Sequence, residues 1–385
     1  MTESKAERFF KGSDGYKINK KNKEYGKMKK TTVFMALILF SFVLFFSHEA
    51  VSAPIELKWA NYFPVPSMQS KICEQFIKDL EAKLQGKVKF SYFAAGTLLT
   101  APKIYDGVVQ GIADIGFSNI SYTYGRFKVT ELLDLPLGFP NAWVANHVAN
   151  DFFKKYQPKE WDKIHMISMH TSPVNVMMTA SKPVRKMEDL KGMTIRGQGY
   201  IAEVASALGS TPRVIATPEV YDAVLKKVVD GIYIPMETMR AFRFGEVVKY
   251  VTECWPIGQV YTFYLVMNKD AWNKLPDDVK KVFKEYPFED KLAETWNAID
   301  IDGKNLGMEK KVEFIQLSPD ESKKWIKAAD TVVEKYVKTM AGQGFTEAEV
   351  RGWVKFAKER IDYWTKKQRE LKIKSSTGPD DVRIK

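Results

Sequence analysis

Residues 192–209 read GMTIRGQGYIAEVASALG and admit two chemistries. A short apolar run, Met193 to Ile195, ends in Arg196; Gly197 and Gly199 follow, and a helical pattern starts at Tyr200. As G-x-G-x-x-A the stretch matches a dinucleotide fingerprint, in which glycines bring the backbone close to a pyrophosphate. As an arginine at a strand tip it offers a planar fork that takes both oxygens of a carboxylate. The fingerprint needs an apolar strand running into its first glycine and an acid about 20 residues on. Arg196 interrupts that strand, and Glu219 follows Thr217-Pro218, which reads as a helix start. A lone match of this kind is weak.

Other reactive residues do not gather into a catalytic pattern. The sequence has no G-x-S-x-G, H-E-x-x-H or C-x-x-C. Of four histidines, His48 lies in an apolar N-terminal segment, and His147, His165 and His170 lack metal-ligand spacing. His165 and His170 read as structural residues in or beside strands. Asp300 and Asp302 form a close acid pair, but their charged surroundings predict a solvated face. Cys73 and Cys254 read as two buried free thiols. No catalytic residue, metal or cofactor is expected, and neither is an enzyme.

The elements that must position Arg196 alternate between strand and helix, which predicts an α/β fold with parallel strands. Ile55–Ala60, Val88–Phe93 and Asp114–Phe117 read as strands, and Ile72, Phe76, Leu80 and Leu84 form a helical stripe between the first two. In the second half His165–Thr171, Val174–Ala180, Met193–Ile195, Ile232–Ile234 and Tyr261–Met267 read as strands. The pieces V-V-Q-G-I-A-D-I-G (108–116) and K-K-V-V-D-G-I (226–232) echo each other, each a helix end turning into a strand, and so suggest two similar lobes. From Leu275 onward the pattern is nearly all helix, and a polar tail over 372–385 is expected to fray.

The chain has 385 residues, a net charge of +12 and 45% hydrophobic residues, enough for a sizeable core. Residues 28–53, MKKTTVFMALILFSFVLFFSHEAVSA, have the charged start, apolar run and small-residue end of a cleaved signal peptide. An uncleaved anchor is the alternative, but the apolar run is short for a bilayer span. Residues 1–27 read as an upstream extension before the true start at Met28. Residues 1–53 hold ten Lys/Arg and five Asp/Glu, which leaves the remainder at +7. No basic run with interleaved aromatics suggests nucleic acid.

From about Pro54 to Leu371 the chain resembles the periplasmic substrate-binding proteins of tripartite ATP-independent periplasmic (TRAP) transporters, the dicarboxylate-binding superfamily. The resemblance rests on seven ordered blocks: G-T-L-L-T (96–100), V-V-Q-G-I-A-D-I-G (108–116), Y-G-R-F-K-V-T-E-L-L-D-L-P (124–136), M-E-D-L-K-G-M-T-I-R (187–196), P-E-V-Y-D-A-V (218–224), V-V-D-G (228–231) and L-V-M-N-K-D-A-W-N-K-L-P (265–276). It implies a two-lobed α/β fold with a hinge and a helical C-terminal region. Lobe I would hold 54–173 and 262–305; lobe II would hold 174–261 and 306–371 with the C-terminal helices. It also implies that Arg196 is the carboxylate anchor, the alternative being a pair with a surface acid such as Glu188.

Three positions depart from the sialic-acid-binding members. Val176 stands where they have a second arginine, Ile234 where they have an asparagine, and Asn119 where they have an acid. Burying a polyhydroxylated ligand against Val176 and Ile234 would leave polar groups unpaired. The resemblance thus implies a monocarboxylate with an apolar or aromatic body, with Tyr62, Phe63, Tyr233 and Phe263 as candidate walls. The implied role is capture in the periplasm and delivery to the small and large membrane subunits of a TRAP permease. A ligand-binding subunit for a membrane sensor and a secreted enzyme are the alternatives.

Overall fold

A computed structural model describes residues 53–384. The upstream extension, and the leader but for its last residue, lie outside the described residues. Along the chain the strands are β1 (Ile55–Asn61), β2 (Val88–Phe93), β3 (Ile115–Asn119), β4 (Ile164–Thr171), β5 (Val176–Thr179), β6 (Thr194–Arg196), β7 (Thr211–Arg213), β8 (Gly231–Ile234), β9 (Tyr250–Glu253), β10 (Thr262–Asn268) and β11 (Glu313–Gln316). They form two sheets, one for each lobe. The first has the order β2-β1-β3-β10-β4, the second β11-β9-β5-β8-β6-β7.

The alternating pattern predicts parallel strands, but neither sheet is all parallel. β1 pairs in parallel with β2 and β3, but β10 runs antiparallel to both β3 and β4. In the second sheet β5 is antiparallel to β8 and β9. The reason is topological: β5 and β10 follow the segments where the chain changes lobe, and each enters its new sheet from the lobe boundary. All seven residues of β10 are buried, as suits a central strand covered on both faces.

The two crossing segments run side by side. Ser172 N–H donates to Tyr261 O at 2.8 Å, and Asn175 N–H to Gln259 O at 2.8 Å. This pair of extended segments joins the two sheets. The helix Phe288–Glu309 spans the boundary as well, packing on the helix Ala142–Tyr156 and β4 on one side and on the helix Thr238–Ala241 on the other. Gly303 makes that second contact: a Cβ there would stand 2.2 Å from Met236 O. The long helix therefore lies directly against the turn that follows β8.

The C-terminal tail is not frayed. Ser375, Ser376 and Thr377 are buried. Thr377 Oγ1 donates to Pro140 O at 2.8 Å, and Asn297 Nδ2 to Lys374 O at 2.7 Å. Nor do both acids of the 300–302 pair face solvent. Asp300 is buried, accepting from Ser376 Oγ and from Glu237 N–H at 2.9 Å, whereas Asp302 is partly exposed and pairs with Arg240. Helical periodicity separates the two, because positions two apart lie on different faces. Cys73 and Cys254 are buried free thiols.

Candidate ligand-binding site

Arg196 ends β6 and is completely buried. β6 is held between β7 and β8, with Arg196 paired to Arg213 and Ile232. Its Nε donates to Ile215 O at 2.9 Å, Nη2 to Thr217 Oγ1 at 3.0 Å and Nη1 to Tyr261 Oη at 3.1 Å. A guanidinium has five N–H groups, so one on each terminal nitrogen has no partner. Among the described residues no carboxylate lies within 4.0 Å of it, Glu188 included. The glycines after it serve the turn. Gly199 has φ +53° and caps the helix Tyr200–Ala207 at a point where a Cβ would stand 3.1 Å from the Tyr124 ring.

Thr217 and Tyr261 stand between Arg196 and a small cavity between the lobes. Thr217 Oγ1 accepts from both Arg196 and, at 3.1 Å, Tyr122 Oη of the first lobe, so its own proton is free for a third partner. The cavity leaves about 20 Å³ of open space, roughly the room of one water molecule. The lobes are thus drawn together. Gln69 Nε2 to Glu237 Oε2 at 2.6 Å and Tyr124 Oη to Glu203 Oε1 at 2.5 Å are further clasps between them.

The first lobe supplies Tyr62, Phe63, Asn119 and Phe263 to the lining; the second supplies Thr217, Ile234, Glu237 and Phe242. Tyr62 stacks on Phe63 at 4.3 Å, and Phe63 lies 6.0 Å from Phe263 and 5.8 Å from Phe242. Asn119 is buried; its Nδ2 donates to Tyr62 Oη at 3.3 Å and its Oδ1 accepts from Ser121 Oγ at 2.6 Å. Burial pushes the Tyr62 phenol well above its usual range, so this wall is uncharged.

The sequence-predicted residues do not all converge. Asn119, Tyr62, Phe63, Ile234 and Phe263 line the cavity, and Arg196 stands behind Thr217 and Tyr261. Val176 is buried opposite Ile234 in the sheet and is not on the lining. Tyr233 adjoins Ile234 in β8 and so faces the other side of the sheet. Thr217, Glu237, Phe242 and Tyr261 are lining residues that sequence reasoning missed. Tyr261 was within reach of the alternation rule, two positions before Phe263. His165 and His170 are strand residues stacked on Trp272 at 3.6 Å and Phe117 at 4.7 Å.

Glu237 is the acid in this wall, 4% exposed. Its Oε2 takes the Gln69 hydrogen bond; Oε1 has no partner in the protein. Burial first, and then the neighbouring Asp300, push its carboxyl well above the usual range. Asp300 is itself pushed up to about 7 by burial.

Two lobes that close on a buried cation and an aromatic wall define a binding protein for a small anion. Residues 60–339 match the family described as bacterial extracellular solute-binding protein, family 7, and the chain belongs to that family. The structure of a TRAP periplasmic solute-binding protein from Desulfovibrio salexigens, an open complex, is 31% identical, with a TM-score of 0.70 over 81% of this chain and 97% of that one. A TRAP solute-binding protein from Rhodoferax ferrireducens, in complex with copurified benzoate, shares the fold at 23% identity and a TM-score of 0.77, over 81% and 99% of the two chains. A monocarboxylate 2-oxoacid-binding periplasmic protein of Nostoc sp. is 24% identical over 57% of this chain; the match spans 62% of that protein's length. Among the described residues no helix is long and apolar enough to cross a membrane, and no group of three or more His, Cys, Asp or Glu is placed to hold a metal ion.

Proposed function

We propose that this protein captures an organic monocarboxylate with an apolar or aromatic body in the periplasm. It then delivers the acid to the small and large membrane subunits of a TRAP permease. One observation carries the ligand class: Arg196 is fully buried with no acidic partner among the described residues. A buried charge is costly unless it is paired, and a ligand carboxylate meets that need. Its two oxygens match the two open N–H groups on the terminal nitrogens, with the Thr217 and Tyr261 hydroxyls beside them. Tyr62, Phe63, Phe242 and Phe263 favour an apolar or aromatic body over a sugar acid. The Rhodoferax and Nostoc proteins, which bind benzoate and 2-oxo acids, support this reading. Export by cleavage near Ala53 belongs to the same proposal.

Calorimetry with 2-oxo acids and aromatic monocarboxylates tests it. Loss of the charged hydrogen bonds in Arg196→Ala should weaken binding by about tenfold to a hundredfold. Arg196→Lys should restore only part, because an ammonium keeps the charge but not the fork. Unchanged affinity in a folded Arg196→Ala protein rejects the anchor. A polyhydroxylated sugar acid as the tightest ligand rejects the apolar body.

A further inference from the structure

Arg196 accounts for one end of a ligand; the cavity wall contains a second polar side chain, one of whose oxygens has no hydrogen-bond partner in the protein. Glu237 sits in the turn after β8, held there from three sides. Its backbone N–H donates to Asp300 Oδ1 at 2.9 Å, Gly303 lets the long helix close against the same turn, and Gln69 from the other lobe donates to Oε2 at 2.6 Å. Oε1 is left over on a side chain that is 96% buried and borders both the ligand cavity and the adjoining groove beside Gln69 and Arg240. Among the described residues no Lys, Arg or His lies within 4.0 Å of this carboxyl. Lys304, the nearby buried cation, is spent on Glu253 at 2.8 Å, and Arg240, at the adjoining groove, on Asp302.

We propose that Glu237 selects ligands that carry an uncharged oxygen, hydroxyl or carbonyl, in addition to the carboxylate. The two oxygens of Glu237 have separate tasks. Oε2 accepts from the Gln69 amide, so in the neutral acid the proton sits on Oε1 and is donated to the ligand oxygen. Burial raises the carboxyl, and with no cation beside it the neutral form is favoured. A ligand without the oxygen leaves a buried donor unpaired, which costs affinity. The same side chain links recognition to closure, because Gln69 belongs to the first lobe and Glu237 to the second. The substrate class is then hydroxy- or oxo-monocarboxylic acids with an apolar or aromatic body. This inference rests on the carboxylate reading of Arg196.

The test measures phenylacetate against its 2-hydroxy, 2-oxo and 3-hydroxy derivatives on the full mature protein by calorimetry. At least one oxygenated acid should bind about tenfold more tightly than phenylacetate, the worth of one buried hydrogen bond. That ratio should fall to about one in Glu237→Met and be partly restored in Glu237→Gln, whose amide is also a donor. Gln69→Met removes the clasp but leaves Oε1, so it should weaken all four acids alike and keep the ratio. Two results overturn the assignment while leaving the Arg196 reading intact. One is phenylacetate bound as tightly as every oxygenated derivative; the other is a preference that survives Glu237→Met. Tighter binding of 2-aminophenylacetate than of the hydroxy acids also overturns it, since an ammonium would call for an ionised Glu237. Failure of all the acids to bind rejects both readings.

Discussion

Among the described residues one lysine and one arginine are buried to similar depth, and they are handled in opposite ways. Lys304 is 7% exposed; its Nζ lies 2.8 Å from Glu253 Oε1 and also donates to Ser376 O at 3.2 Å. Arg383 stands 3.7 Å from the other Glu253 oxygen. Arg196 is 0% exposed and has only neutral oxygens around it. Lys304 ties the long helix and the C-terminal tail to β9, and its charge is balanced within the protein. Arg196 stands behind Thr217 and Tyr261 at the cavity, with no carboxylate among the described residues within 4.0 Å of it. Depth of burial alone does not distinguish the two; what differs is that Lys304 has its counter-ion in the protein, whereas Arg196 has none among the described residues.

Two substitutions sharpen this contrast, beginning with the larger effect. Lys304→Met strands Glu253 in the interior with only Arg383 at 3.7 Å for balance. Breaking a buried pair from one side costs about 3–5 kcal/mol, so urea unfolding should show a loss of about 3 kcal/mol. Affinity for the acid ligand should stay near wild type. A loss under about 1 kcal/mol would put Lys304 in the same class as Arg196 and dissolve the comparison. Arg196→Leu should behave in the reverse way. Binding falls by about tenfold to a hundredfold, while unliganded stability is unchanged or higher, because an unbalanced buried charge has been removed. A large drop in unliganded stability would mean that Arg196 is held for the fold.

The strand tip with Arg196 was legible because a polar residue closing an apolar strand before two glycines is a local signal. The echo of two helix-to-strand turns was legible too, and those turns lead into β3 and β8. β7, β9 and β11 were not, since three or four residues are too few for alternation to show. Glu237 was hidden for a different reason. Nothing in P-M-E-T marks it; its burial is produced by Gln69, Gly303 and the tail, which arrive from distant parts of the chain. Asp300 was readable in principle. It shares a helix face with Asn297, Gly303, Lys304 and Gly307, all buried, and the charge of the local sequence masked that period. The tail looked unstructured for want of apolar residues, yet it is ordered by hydrogen bonds from Ser376 and Thr377.

The smallest expected effect, per pH unit, concerns the buried acids. Asp300 and Glu131 are both pushed up to about 7 by burial, and Glu237 and Asp134 are raised well above their usual values. Each therefore holds its proton in the folded chain where the unfolded chain has released it. Stability from such groups is full below their unfolded pKa of about 4 and is lost as pH rises through the folded value. His170 and His165 act in the opposite direction, lowered to about 3 and about 4 by burial, so they cost stability only as pH falls below about 6.5. Stability should thus decline as pH rises from about 6.5 to 8, where the histidines are neutral in both states. For Asp300 alone the window runs from about 4 to 7. Asp300→Asn removes one coupled proton, so the stability gap between wild type and variant should change by about 1 kcal/mol per pH unit across pH 5 to 7. The gap should close in the direction of high pH, where ionised Asp300 no longer favours the wild type. Urea unfolding of both proteins at pH 5, 6 and 7 checks this. Parallel pH profiles would mean that Asp300 is ionised throughout, balanced by Lys304 as Glu253 is, and that one lysine serves both acids.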